Sequence, residues 1–273
     1  MPEMDDARIA EAAERIRREG LAEPVDLSAA RPAEAYLEVV LRARPTLKPS
    51  LALRLLEKPL FRAAAMVAAG EAEVLVAGAA APTRRVIEAA TMIIGMADGV
   101  STPSSFFLML IPDGRELLFA DCAVNVAPDA EALCDIARAS LRSAEVLLGS
   151  GRLALLSFST AASGAGPSVD LVREVQARLA AEGVEVLGPV QADAALDPAV
   201  ASRKGLGDVE AANVLIFPSL DAGNIAYKLL QRLGGAQAIG PFLQGFARPV
   251  CDLSRGASVD DIVVAAAVSI ANA

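Results

Sequence analysis

The groups that could do chemistry gather in one segment near the carboxyl end, Asp252-Leu253-Ser254-Arg255-Gly256-Ala257-Ser258-Val259-Asp260-Asp261. A short apolar strand pattern stops there and a helical pattern begins. In open α/β sheets, ligands sit beyond the carboxyl ends of strands, which is where Ser254 and Arg255 fall. Arg255 can grip a phosphate through two parallel hydrogen bonds. Asp261 supplies a carboxylate beside that cation. A plainer reading fits the same spacing: Ser258 followed three residues later by Asp261 is the pattern of a helix-capping box, and an isolated arginine reads as a surface residue.

A second segment, Ser157-Phe158-Ser159-Thr160-Ala161-Ala162-Ser163-Gly164-Ala165-Gly166, joins a strand to a helix. Small and hydroxylated residues let backbone N–H groups approach an anion, and the helix amino terminus favours negative charge. It is neither a P-loop nor a full dinucleotide fingerprint, and it also fits an ordinary strand–helix turn. Asn224 and Lys228 lie one helical turn apart after Asp221-Ala222-Gly223, as ligand groups or as a solvated helix face; Tyr227 reads as packing.

The chain has no histidine and no tryptophan. That removes Ser-His-Asp and Cys-His catalysis and the commonest zinc ligand, so no metal site is expected. Cys122, Cys134 and Cys251 lie far apart with no C-x-x-C pair, which predicts reduced thiols.

The elements that must position these residues alternate between helix and strand. Helical spacing covers Asp6 to Glu19, 33–44, 49–69, Thr83 to Gly95, 129–149, Val169 to Glu182, Ala222 to Leu233 and Val259 to Ala271. Strand-like runs are Glu73 to Ala77, Phe106 to Ile111, Leu117 to Asp121, Leu153 to Ser157, Val184 to Leu187, Val214 to Phe217 and Pro249 to Leu253, with Pro112-Asp113-Gly114 as a hairpin turn. Short apolar strands alternating with helices predict an α/β protein whose mostly parallel sheets are covered by helices.

The 273 residues are 54% apolar and 22% charged, enough for one large or two smaller domains. A net charge of −9 would repel nucleic acid and anionic membranes, so neither is an expected partner. The acidic start, Met1-Pro2-Glu3-Met4-Asp5-Asp6, lacks the basic and apolar parts of a secretory signal. Apolar stretches such as Val74 to Ala81 are too short to span a bilayer. A soluble cytoplasmic protein is expected.

Several blocks together resemble the phosphate acetyltransferases of the phosphate acetyl/butyryl transferase family. They include Ala120-Asp121-Cys122-Ala123-Val124-Asn125, Asn213-Val214-Leu215-Ile216-Phe217-Pro218 and Ala222-Gly223-Asn224-Ile225-Ala226-Tyr227-Lys228. Gly240-Pro241-Phe242-Leu243-Gln244-Gly245 and Asp252-Leu253-Ser254-Arg255-Gly256 complete the series, collinear over the last two-thirds of the chain. The resemblance implies a two-domain fold like that of isocitrate and isopropylmalate dehydrogenases, usually a homodimer. Residues 1–96 and 253–273 would form the first domain and 97–252 the second, with the active site in the cleft between them.

The implied reaction moves an acetyl or other short acyl group reversibly between coenzyme A and phosphate, with CoA as substrate and no permanently bound cofactor. By position, Asp261 resembles the base for the CoA thiol, Ser254 the serine that meets the acyl group, and Arg255 the phosphate-binding arginine. Arg42 aligns with a second functional arginine. Ser159, Thr160 and Asn224 would line the substrate site. The family's extra first strand is missing here, Ala81 stands at a histidine position, and Glu88 replaces an arginine. Arg84 and Arg85, one turn before Glu88, could restore the positive charge. A catalytically weak paralogue that binds CoA or acyl-CoA as a regulatory module is the alternative.

Overall fold

The computed structural model describes every residue from Met1 to Ala273. The chain divides into two compact units, Met1–Val100 with Gly240–Ala273, and Ser101–Ile239.

The first unit opens with helix α1 (Ala7–Arg18), started by the Asp6 carboxylate, which accepts the Arg8 backbone N–H. Ile9, Ala12, Ala13 and Ile16 recur at helical spacing and are buried. Two short 3₁₀ turns, Leu27–Ala29 and Ala33–Tyr36, precede α2 (Leu37–Ala43). The single helical pattern expected over 49–69 is in fact two helices, α3 (Pro49–Leu56) and α4 (Pro59–Ala68). Pro59 has no N–H to continue α3 but suits the first position of a new helix. Strand β1 (Leu75–Ala77) is wholly buried. Helix α5 (Thr83–Ala89) runs into a wider turn, Ala90–Ile94, which ends at Gly95.

The second unit begins with the hairpin β2 (Ser104–Leu110) and β3 (Glu116–Ala120), antiparallel with Leu108 opposite Leu118. Gly114 sits at φ +91°, a conformation glycine reaches without strain, and its N–H returns to the Ile111 carbonyl at 2.9 Å. Next come α6 (Ala130–Leu148), β4 (Leu153–Leu156), α7 (Pro167–Ala181) and β5 (Val186–Val190). Helices α8 (Ala192–Leu196) and α9 (Pro198–Arg203) are too short to show a period in the sequence. They are followed by β6 (Val214–Ile216) and α10 (Leu220–Leu233). Strands β3, β6, β4 and β5 lie side by side in parallel. A core of Phe107, Met109, Phe119, Leu215 and Phe217 is closed by Tyr227 of α10, whose ring stacks on Phe107 at 4.2 Å.

The chain continues through β7 (Gln237–Gln244), β8 (Val250–Asp252) and α11 (Val259–Ala271). The sequence reading missed β7 because Gly240-Pro241 lies in its middle, and proline cannot donate to a ladder. The return to the first unit comes at Gly240, earlier than the expected position near 253. Strand β8 already pairs in parallel with β1, Leu75 with Val250 and Ala77 with Asp252, and antiparallel with β7. Helix α1 packs along α11, which fixes the start of α11 just beyond β8.

Candidate active site

In the first unit the turn from β8 to α11 brings Ser254, Arg255 and Asp261 together on one exposed stretch. The Ala257 N–H bonds the Ser254 carbonyl at 2.9 Å, and the Gly256 N–H reaches the Ser254 Oγ at 3.2 Å. The turn is therefore tight, and the serine hydroxyl stays exposed.

Helix α11 starts with a full capping box. The Asp261 N–H donates to the Ser258 Oγ at 3.2 Å. Ser258 in return donates its backbone N–H at 2.9 Å and its hydroxyl at 2.7 Å to Asp261 Oδ2. Such a cap is worth about 1 kcal/mol. Both returned bonds fall on Oδ2, so Oδ1 takes no bond from the chain and can accept a proton from a ligand.

The turn is held from behind by α1. Arg8 donates from Nη1 to the Arg255 carbonyl at 2.9 Å and to the Ala257 carbonyl at 2.8 Å. Asp6 fixes the same guanidinium through Nη2 at 2.7 Å and Nε at 3.1 Å. Arg15 pairs with Asp260 next to Asp261. Arg8 thus holds the backbone of the turn, while the Arg255 side chain forms no ion pair within the chain and is exposed.

Behind the turn lies the loop after β1. Glu3 accepts four backbone N–H groups there, from Gly78 and Ala79 on Oε2, both at 2.9 Å, and from Ala80 at 3.2 Å and Ala81 at 2.7 Å on Oε1. The small residues of 78–81 form a nest around this carboxylate. Ala81 therefore contributes its backbone N–H.

Of the other first-unit arginines, Arg84 is exposed at the start of α5 and has no ion pair. Arg85 pairs with Glu88 at 2.6 Å, one turn along the helix. Arg42 is exposed in the last turn of α2, and no bond ties it to the 254–261 turn. Its neighbour Arg44 is the residue tied down, through Nη2 to the Thr91 carbonyl at 2.6 Å.

In the second unit Ser159 and Thr160 follow β4 and are buried. Their hydroxyls are already engaged: Ser159 Oγ lies 3.2 Å from Ser163 Oγ, and Thr160 Oγ1 donates to Gln191 Oε1 at 3.2 Å while accepting the Gln191 N–H at 3.1 Å. They shape the loop. Asn224 on α10 donates its Nδ2 to the Cys122 carbonyl at 3.0 Å. Gly223 allows this close approach, since a Cβ there would lie 2.3 Å from the Asp121 carbonyl oxygen. Asp121 holds its own turn by accepting the Asn125 N–H at 2.8 Å and Nδ2 at 2.6 Å.

The cysteines offer no nucleophile. All three are free and buried. Burial pushes the Cys251 thiol up to about 12 and raises Cys122 and Cys134 as well.

The supports of the turn that the sequence does not reveal are Glu3 and Arg8. The one available signal was the run of small residues at 78–81 after a strand, a pattern whose amides suit an anion. Nothing local shows that the anion comes from residue 3.

The family model described as phosphate acetyl/butaryl transferase matches residues 26–270. The phosphate acetyltransferase of Paracoccus denitrificans is 40% identical over 294 residues, covering 98% of this chain and 92% of that protein. A phosphotransacetylase structure from Streptococcus pyogenes superposes with a TM-score of 0.88 at 33% identity, covering 99% of this chain and 92% of that one. One from Staphylococcus aureus gives 0.85 at 34% identity, with the same coverage of both chains.

Proposed function

The chain belongs to the phosphate acetyl/butaryl transferase family, and from that premise we propose that it transfers an acetyl or other short acyl group reversibly between coenzyme A and phosphate. Coenzyme A and the acyl phosphate are substrates, and no permanently bound cofactor takes part. The observation that carries the assignment to residues is the 254–261 turn. There an exposed hydroxyl, an unpaired guanidinium and a carboxylate with one open oxygen share one short segment.

In the direction of thioester formation, Asp261 Oδ1 takes the proton from the CoA thiol. A free thiol near pKa 8.5 is mostly protonated at neutral pH, so a base at hand raises the thiolate fraction as attack begins. The sulfur attacks the acyl carbonyl carbon and forms the C–S bond, and negative charge moves onto the carbonyl oxygen. The Ser254 hydroxyl donates to that oxygen. The carbonyl re-forms as the C–O bond to phosphorus breaks, and phosphate leaves with the electron pair, held by Arg255. Asp261 then returns its proton to the departing phosphate.

Arg42 and Arg84 add positive charge for phosphate in the first unit, while Arg85 is held by Glu88. In the second unit the Ser159-Thr160 loop and Asn224 serve substrate binding. The engaged hydroxyls favour contact through the loop backbone.

Helix α10 supports a homodimer. Ile225, Leu229 and Leu233 recur every four residues and are 56%, 53% and 83% exposed, an apolar stripe suited to packing on a second copy of itself. Three buried, unpaired cysteines suit a reducing cytoplasm. No helix is long and apolar enough to cross a membrane.

The test is direct. Purified protein, acetyl phosphate and CoA in the presence of a chelator should form acetyl-CoA. If acetyl, propionyl and butyryl phosphate all yield no thioester, the assignment fails.

A further inference from the structure

Asp252 closes β8, two residues before Ser254, with its side chain only 1% exposed. Its Oδ2 accepts the Thr83 hydroxyl at 2.6 Å. Its Oδ1 is buried with no hydrogen-bond partner. Leaving a buried carboxylate oxygen unmatched within the chain is costly, so its place here calls for an explanation.

The surroundings are built around that oxygen. Gly78 has φ +108°, and a Cβ there would lie 2.5 Å from Asp252 Oδ1 and 2.7 Å from the Leu253 nitrogen. Only glycine leaves room. The Leu253 N–H bonds the Ala77 carbonyl at 2.6 Å, so the backbone leaving β8 is pinned on β1 next to the carboxylate. Glu3 holds the 78–81 loop by accepting the Gly78 and Ala79 N–H groups. Thr83 is the first residue of α5 and precedes Arg84 and Arg85.

We propose that Asp252 is a positioning residue for the acyl transfer. Its carboxyl, anchored on Thr83 and seated over Gly78, fixes the direction in which the chain leaves β8 and so the placement of Ser254 and Arg255. The same bond ties the start of α5, with Arg84, to the Ser254–Arg255 turn. The proposal rests on the reading of that turn as the site of chemistry. An apolar residue at 252 would fill the space more cheaply. It could not bond Thr83, and the turn would lose its link to α5.

The experiment compares Thr83→Val, Thr83→Ser, Asp252→Asn and Arg255→Ala by steady-state kinetics and thermal unfolding. Misplacement of reacting groups by around an ångström costs up to about a hundredfold in rate. Thr83→Val should lower kcat about tenfold or more and leave the KM for CoA within about twofold, and Thr83→Ser should restore kcat. Asp252→Asn preserves shape and one acceptor, so it should keep more activity than Thr83→Val while remaining folded.

A purely structural role would lower the unfolding temperature of Thr83→Val and leave its kcat at low temperature unchanged. That result, with Arg255→Ala crippled, overturns the proposal and leaves the assigned site standing. If Thr83→Val fails to fold, Thr83→Ala, which also removes the hydroxyl that Asp252 accepts, takes its place, and parent-like kcat in that variant overturns the proposal in the same way. Parent-like kcat and phosphate KM in Arg255→Ala would overturn the site and this proposal with it.

Discussion

Replacing Asp252 with asparagine should stabilise the protein at neutral pH and do nothing at pH 4. Burial, the dominant cause, pushes this carboxyl up to about 6 from its ordinary 3.8; the Thr83 hydrogen bond pulls it down and the Glu3 charge adds to the rise. Because the folded value lies above the unfolded one, the folded chain still holds a proton between about pH 4 and 6 where the unfolded chain has released it. Raising the pH through that window therefore costs stability. The loss is complete above about 6 and absent below about 4. A shift of about two units corresponds to roughly 3 kcal/mol. The amide is neutral throughout and its carbonyl still accepts the Thr83 hydroxyl. The variant should match the parent near pH 4 and exceed it by about 2–3 kcal/mol at pH 7.5. With no tryptophan in the chain, urea unfolding is best followed by far-ultraviolet circular dichroism from pH 4 to 7.5. A difference between variant and parent that stays constant across that range would refute the reasoning, since the buried carboxyl would then carry no unusual proton.

The remaining expectations concern the site and the assembly. Asp261→Asn keeps an oxygen for the Ser258 cap and loses the base, so kcat should fall by roughly 10²–10⁴ with stability within about 1 kcal/mol of the parent; near-normal turnover rejects the base. Arg84→Ala should raise the KM for phosphate about tenfold, a loss of roughly 1.4 kcal/mol of binding, and Arg85→Ala should do less because Glu88 already neutralises it; parent-like values in both would mean that neither arginine replaces the family's missing charge. Leu229→Glu with Leu233→Glu should convert a dimer to monomers by light scattering, and an unchanged mass would remove α10 from the interface.

What the sequence shows and what it hides follow from distance along the chain. Helix α1, the β2–β3 hairpin and the β8–α11 turn declare themselves through local period, a Pro-Asp-Gly turn and a cap pattern. Strand β7 is hidden by its own Gly240-Pro241, and helices α8 and α9 by their length. The supports of the turn are hidden for a different reason. Glu3 bonds residues more than seventy positions away, and Arg8 reaches 247 and 249 positions along the chain to the Arg255 and Ala257 carbonyls. No window of sequence contains both partners of either contact.

The ambiguity at Asp261 was of another kind. Spacing supports a cap at Asp261, while the base is what the family resemblance implies, and the two look like rivals. They compete only if they need the same oxygen. Ser258 delivers both of its hydrogen bonds to Oδ2, so the cap fixes the rotamer and leaves Oδ1 open. A carboxylate locked in this way loses little side-chain freedom when it meets a thiol, and an oriented base is more effective than a mobile one. On the proposed reading of Asp261 as the base, the capping box also prepares it, and removing the cap should slow the chemistry as well as loosen the helix.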